Sequence, residues 1–223
     1  MSKKILLGIP TYKYLTAFAF GHMMGTLLDG VNAGFVKRLQ IEADMYVTMA
    51  RNLMCSTALD LYAKGEITHL LMIDDDMQIP PGSIAKLAQN DLDVVGGAYY
   101  TRGLKPVAYQ LAPSYHFLDS LPADGLVQVD GTGGGFLLIA CELLSKMKLH
   151  FKDEWWFQNT VAMDAGEEKY MGEDVFFFRR AKELGVKTFI DCSVQLGHIG
   201  LTVVNREVVE LNTGKGSRAR KMI

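Results

Sequence analysis

Three consecutive aspartates, Asp74, Asp75 and Asp76, close an apolar run of Leu70, Leu71, Met72 and Ile73. Like charges side by side are unfavourable unless something positive sits among them. Hard divalent cations such as magnesium or manganese take oxygen ligands, usually one or two carboxylates plus substrate phosphates. Residues two apart on a strand face the same side, so Asp74 and Asp76 offer a carboxylate pair while Asp75 points away. An acidic loop capping the segment after Pro80 and Pro81 is the plain alternative. Far along the chain, His198 sits between Gly197 and Gly200 in LGHIGL. Imidazole is a good ligand for manganese and other first-row metals, although a lone histidine is more often structural. Glu173 and Asp174 open GEDVFFFRRAKELG. Acidic residues at a helix start are favoured by the macrodipole; Asp174 can instead act as a general base.

These groups need elements to hold them, and strand-like and helix-like patterns alternate along the chain. KILLGIP, FVKRLQIE, HLLMI and VKTFIDCSV read as strands, the last as the final one. ADMYVTMARNLMCSTALDLYAKG reads as a helix ending at Gly65, PPGSIAKLAQN and GEDVFFFRRAKELG as shorter ones. LDVVGGAYY reads as a strand followed by a glycine-softened turn, KPVAYQL and GLVQVD as short strands, and GGFLLIACELLSKM as a strand leading into a helix. YLTAFAFGHMMGTLL reads as a loop and a buried or half-buried helix, short of a membrane span. Such alternation predicts an α/β domain with a mixed, mostly parallel sheet. Ligands of open α/β sheets bind outside the carboxyl ends of the strands, where the aspartates and the residues after FIDCSV fall.

A chain of 223 residues, 49% hydrophobic and 22% charged, can bury a substantial core. Its net charge of −2 gives no reason to expect nucleic acid as a partner. We expect one domain over residues 1–210 and a basic tail over 211–223, where Lys215, Arg218, Arg220 and Lys221 cluster. Cys55, Cys141 and Cys192 are widely spaced, which suits a reducing compartment and argues against a zinc site. Further candidates lie in the middle of the chain. Gly133, Gly134 and Gly135 let a backbone approach a sugar ring, or else form a bulge or flexible loop. Trp155 and Trp156 offer flat faces for a sugar acceptor, with at most one free to meet it. Arg102, in GGAYYTRG, is a diphosphate partner or a surface arginine.

The ordered set GIPTY, ARN, MIDDDM, GEDVFFFRRAKELG and LGHIG resembles a GT-A glycosyltransferase, close to family 2 and its phage or viral relatives. The resemblance runs from residue 5 to about residue 200. It implies a single Rossmann-like nucleotide-diphospho-sugar transferase domain. It implies that Pro10, Thr11 and Tyr12 hold the base and ribose, and that Arg51 and Asn52 lie near the nucleotide-sugar. The aspartate triplet, Asp75 included, joins them. Asp74, Asp76 and His198 would hold Mn2+ or Mg2+, and Asp174, beside Glu173, would be the base of an inverting enzyme. The implied partners are a nucleotide-diphosphate sugar, UDP-linked by preference, and a glycan, lipid-linked or protein acceptor. A cytoplasmic location is expected, that of the host cell if the chain is viral. A nucleotidyltransferase would need a basic glycine-rich loop after the first strand, which GIPTYKYL lacks. A non-catalytic nucleotide- or carbohydrate-binding relative would have little reason to keep all four metal and base candidates.

Overall fold

A computed structural model describes residues 3–11, 17–112, 114–153, 155–164, 166–200 and 203–213, with the side chains of 17–19, 203 and 211–213 left out. The first half of the chain forms β1 (Ile5–Thr11), α1 (Ala17–Asn32), β2 (Val36–Ala43), α2 (Val47–Ala63), β3 (His69–Ile73), β4 (Met77–Gln78), α3 (Ser83–Gln89) and β5 (Val94–Ala98). Short strands follow: β6 (Ala108–Gln110), β7 (His116–Phe117), β8 (Leu126–Val129) and β9 (Gly131–Thr132). Then come β10 (Phe136–Ala140), α4 (Cys141–Phe151), β11 (Thr160–Asp164), β12 (Glu167–Met171) and α5 (Glu173–Glu183). The described chain ends with β13 (Thr188–Gln195), β14 (Gly197–Ile199), β15 (Val203–Val204) and α6 (Arg206–Thr213).

Seven strands make the central sheet in the order β2-β1-β3-β10-β5-β13-β8. β1 pairs in parallel with β2 and β3, and β5 with β13. β10 runs antiparallel to both β3 and β5, and β8 antiparallel to β13. Five strands therefore share one direction, and the mixed, mostly parallel α/β sheet expected from the sequence is the one observed. Alternation along the strands builds a core on each face. Leu6, Leu70 and Met72 face Met54 and Phe177 on one side, while Ile5, Leu7 and Leu71 face Met23 and Ile84 on the other. The central strands read as continuous apolar runs because both faces are covered.

Two expectations are corrected. The glycines of LDVVGGAYY lie inside β5, not in a turn after it. A Cβ at Gly97 would stand 2.7 Å from Leu196 Cδ1, so the strand needs glycine for packing. Nor is VKTFIDCSV the last strand: β14 follows and pairs antiparallel with β4, setting His198 opposite Met77. Regular structure also runs past residue 210 into α6, while the basic residues from 214 onward lie outside the described chain. All three cysteines are free and buried, and Cys55 and Cys141 pack in the core as small apolar side chains. Among the described residues no helix is long and apolar enough to cross a membrane.

Candidate active site

The carboxyl ends of β1 and β3 and the start of α2 enclose a cleft of about 360 Å³. Pro10 and Thr11, Met45 to Val47, and all three aspartates line it. Tyr12 lies outside the described residues. The aspartates do not extend β3. They form a turn between β3 and β4, closed by the Met77 amide donating to the Asp74 carbonyl at 3.3 Å. Strand alternation therefore fails here, and the three carboxylates fan out towards three different elements.

Asp74 turns towards α2, where the Arg51 guanidinium donates to it at 2.7 Å. The other arm of the Arg51 fork donates to Glu173, at the start of α5. Arg51 is only 3% exposed, and its charge survives burial because the Asp74 and Glu173 carboxylates outweigh the desolvation. Its ring-side face looks on Phe157, with 5.7 Å from Cζ to the ring centroid. Its Nε is buried and has no hydrogen-bond partner among the described residues. The structure places Arg51 as a brace between the aspartate turn and α5, with both fork ends committed to protein.

Asp75 turns back towards β1 and accepts a hydrogen bond from the Thr11 hydroxyl at 2.6 Å. Burial raises its pKa, the Thr11 hydrogen bond opposes that shift, and the neighbouring Asp76 and Asp74 charges add to it. Asp76 points the third way. Its Oδ2 lies 3.1 Å from His198 Nε2 and accepts from Arg102 at 2.6 Å. Burial works against the charge on Asp76, but His198 and Arg102 overcome it and hold the carboxyl below its usual range. The Asp76 hydrogen bond in turn raises the pKa of His198 against the opposing effect of burial. His198 Nδ1 donates to the Tyr100 carbonyl at 3.1 Å, which leaves Nε2 as the nitrogen that can ligate. The β4–β14 pairing and the Ile199 amide, donating to the Asp76 carbonyl at 2.7 Å, lock the two segments together.

A hard divalent ion fits this donor set. One carboxylate oxygen and one imidazole nitrogen converge and the far nitrogen is pinned by a backbone carbonyl, while Arg102, on the same Asp76 oxygen, would have to release it to an incoming ion. Among the described residues no group of three histidine, cysteine or acidic side chains converges on a metal position. An ion here would complete its shell from phosphate oxygens and water, which is how magnesium is ordinarily held.

Asp174 stands on the first turn of α5, next to Glu173. Burial and the Glu173 charge push its pKa up to about 6, with Arg51 pulling the other way. A carboxylate poised there is ready to accept a proton near neutral pH. Its Oδ1 accepts from the Val175 amide at 2.8 Å.

Other expected ligand contacts are taken up by the protein itself. Asn52 donates through both amide hydrogens, to the Thr48 and Phe157 carbonyls at 2.8 and 2.7 Å. Its oxygen accepts from the Trp156 and Phe157 amides at 2.8 and 3.0 Å. Nothing remains for a nucleotide-sugar; Asn52 clamps the segment after α4. Trp156 is 2% exposed and donates through Nε1 to the Leu144 carbonyl, so it packs and cannot meet an acceptor. Trp155 is the exposed member of the pair. Gly133, Gly134 and Gly135 are buried too. A Cβ on Gly134 would collide with the Arg51 guanidinium, and one on Gly133 or Gly135 with the Tyr99 hydroxyl. The close approach that calls for glycine is made by these two side chains, not by a sugar. Sequence reasoning passed over Met45, Tyr46, Val47 and the Tyr100 carbonyl. The three side chains carried one usable signal: they follow β2 at a strand's carboxyl end.

No protein-family model matches this chain, and no curated protein matches it by sequence. Solved structures do. A197 from STIV superposes with a TM-score of 0.58 at 21% identity, covering 88% of this chain and 86% of its own. The catalytic domain of Drosophila β1,4-galactosyltransferase 7, crystallised with xylobiose, gives 0.49 at 15% identity over 99% of this chain and 76% of its own. The inositol-1-phosphate CTP transferase from T. maritima gives 0.47 at 10% identity over 99% of both chains. The last two superpositions are too loose to carry an argument. At 21% identity the likeness to A197 is one of fold, the mixed α/β architecture described above.

Proposed function

We propose that this protein is a divalent-metal-dependent glycosyltransferase that moves a sugar from a nucleotide diphosphate to an acceptor hydroxyl with inversion. The observation that carries the reading is the meeting of Asp76 and His198, 122 residues apart, at 3.1 Å. Asp174, with its pKa near 6, stands beyond the Arg51 brace from them. In this reading the cleft of Pro10, Thr11 and Tyr46 takes the nucleoside, Asp75 with Thr11 faces the ribose, and Arg102 faces the diphosphate. Asp76 and His198 would hold Mn2+ or Mg2+, which would offset the charge that gathers on the departing diphosphate.

Asp174 takes the proton of the acceptor hydroxyl as that oxygen bonds to the anomeric carbon. The bond from that carbon to the diphosphate oxygen breaks in the same displacement, and the electron pair leaves with the diphosphate. Arg51 fixes the Glu173 carboxylate in place, and the Glu173 charge helps hold the Asp174 pKa up. A UDP-sugar is the preferred donor, and a hydroxyl of a glycan, lipid-linked sugar or protein the acceptor.

The test is thermal stability against UDP-, GDP-, dTDP- and CMP-sugars, each with manganese or with EDTA. A ligand at about 100 times its Kd adds roughly 2.7 kcal/mol, a rise on the order of 5 to 10 °C for a chain of this size. We expect a manganese-dependent rise with one nucleotide class. No rise with any of them overturns the reading.

A further inference from the structure

The edge of the sheet at β2 carries a pattern that no part of the proposed chemistry uses. β2 is eight residues long and, among the described residues, pairs on one side only, with β1. A long open edge is a template for another strand. Its register with β1 sets Leu39 beside Leu7 and Ile41 beside Ile9, on the α1 side of the sheet. Both Leu39 and Ile41 are exposed, at 43% and 47%. Arg38, Gln40 and Glu42 face the other side, where Gln40 donates to Thr57 of α2 at 3.2 Å.

The helices on either side of this edge are apolar on the same flank. On α1, Asp29 faces α3 and accepts from the Gly82 amide, whereas Phe20, Leu28 and Val31 occupy the other flank and are exposed. On α2, Thr57 marks the flank over β2, and Leu53 is exposed on it. An apolar strip spanning helix, strand edge and helix is the composition of an interface rather than of a solvated rim.

We propose that two copies of this chain pair antiparallel along β2, about a two-fold axis at Gln40, to form one continuous sheet. The sequence Arg38-Leu39-Gln40-Ile41-Glu42 is complementary to its own reverse. Antiparallel pairing about Gln40 sets Leu39 opposite Ile41 of the second copy on one face and Arg38 opposite Glu42 on the other. Residues directly opposite in such a ladder share a face, and opposite charges there stabilise the pair. A parallel arrangement would set Arg38 against Arg38 and Glu42 against Glu42. The charges thus select the symmetric register, and a two-fold interface of this kind closes on itself. Within one chain Arg38 pairs with Glu66 and donates to the Lys37 carbonyl at 3.1 Å, and its side chain is about half exposed. An ion pair that exposed is worth little and can be exchanged for Glu42 of the second copy.

Sedimentation or light scattering of the full chain over a range of micromolar concentrations tests this. The expected result is a species of twice the chain mass that Ile41→Lys abolishes. Glu42→Arg should weaken it by about tenfold or more, and the double exchange Arg38→Glu with Glu42→Arg should restore it. The native cysteines are buried, so Gln40→Cys adds one half-buried thiol at the axis, which the second copy's thiol would face, and should give a disulfide-linked dimer on oxidation. A chain monomeric at every concentration overturns the proposal. So does a dimer indifferent to Ile41→Lys, or a double exchange no better than Glu42→Arg alone.

Discussion

Asp74 and Asp76 stand two residues apart, yet they belong to different devices. Asp74 is tied to Arg51, which is 3% exposed and bound at its other end to Glu173. Asp76 is tied to His198 and to Arg102, whose side chain is 62% exposed. The first arrangement holds a strand end to a helix start through a cation that cannot leave. The second gathers a carboxylate, an imidazole and an exposed guanidinium around a space that water reaches. An acidic triplet is therefore not one motif with one purpose. Its first residue positions α5, and its last carries the pairings that the proposed metal would replace.

The largest expected effect tests the rigid half. Removing one partner of a buried ion pair strands the others, at a cost of about 3 to 5 kcal/mol. The Asp74 and Glu173 side chains keep some solvent, so Arg51→Met should lie at the lower end. That is a fall of roughly 6 to 12 °C in melting temperature. Arg51→Lys should recover little, because one ammonium cannot bridge two carboxylates as the planar fork does. A melting temperature unchanged in Arg51→Met would break the comparison, since Arg51 would then be free for a ligand.

Next comes Asp174, which the same brace holds in place. Asp174→Asn should lower kcat by about 10²- to 10⁴-fold if the residue is the general base, and it should also stabilise the fold. The native pKa of about 6 lies above the 3.8 of a free aspartate. Between those values the native state holds a proton that the unfolded chain gives up. Stability from this group is thus full below pH 4, declines as pH rises to 6, and stays reduced above it. The variant escapes that loss. It should be more stable than the parent by about 3 kcal/mol at pH 7.5 and by only about half a kcal/mol at pH 4. Denaturant melts at both pH values check this. An advantage equal at the two would mean that Asp174 is not held at a raised pKa.

How much of this could be read beforehand follows from how local each cause is. β1, β3 and β10 announce themselves because a strand covered on both faces must be apolar throughout. The pairing of the aspartate turn with LGHIG was legible only as a resemblance, since β4 and β14 are two- and three-residue strands with no period to detect. The meaning of Gly134 was out of reach. The atoms that exclude a Cβ there belong to Arg51, on a helix 83 residues earlier, and nothing in DGTGGGF reports them. Asn52 is a similar case: a polar residue beside a site reads as a ligand contact until its four hydrogen bonds are found to be spent on backbone.

A smaller effect sharpens the other half. Asp76→Ala and His198→Ala should each abolish the manganese-dependent part of nucleotide binding while leaving the fold intact, because both side chains are partly exposed. Asp74→Ala should do the reverse: it frees one arm of Arg51 and costs stability first. Manganese titration in the presence of a nucleoside diphosphate, beside a melting curve for each variant, separates the two patterns. If Asp74→Ala and Asp76→Ala lose metal equally at equal stability, the triplet is a single ligand set after all.

The smallest effect is reserved for Arg102. Its bond to Asp76 is exposed, and pairs of that kind contribute about 0 to 1 kcal/mol, so Arg102→Ala should barely move the melting temperature. Its reach to both Asp76 Oδ2 and the Ile199 carbonyl, at 2.6 and 3.3 Å, nevertheless keeps a guanidinium at the rim of the proposed metal position. With a diphosphate present it can turn from Asp76 to phosphate oxygens, which a guanidinium meets in bidentate fashion. The expected result is a severalfold rise in donor KM with kcat little changed and no loss of stability. Arg102→Lys should recover only part of it, since an ammonium supplies the charge without the fork. A fall in kcat with KM unmoved would instead mean that Arg102 acts on the transition state alone, and would place it with Asp174 among the groups that do chemistry rather than with those that hold the donor.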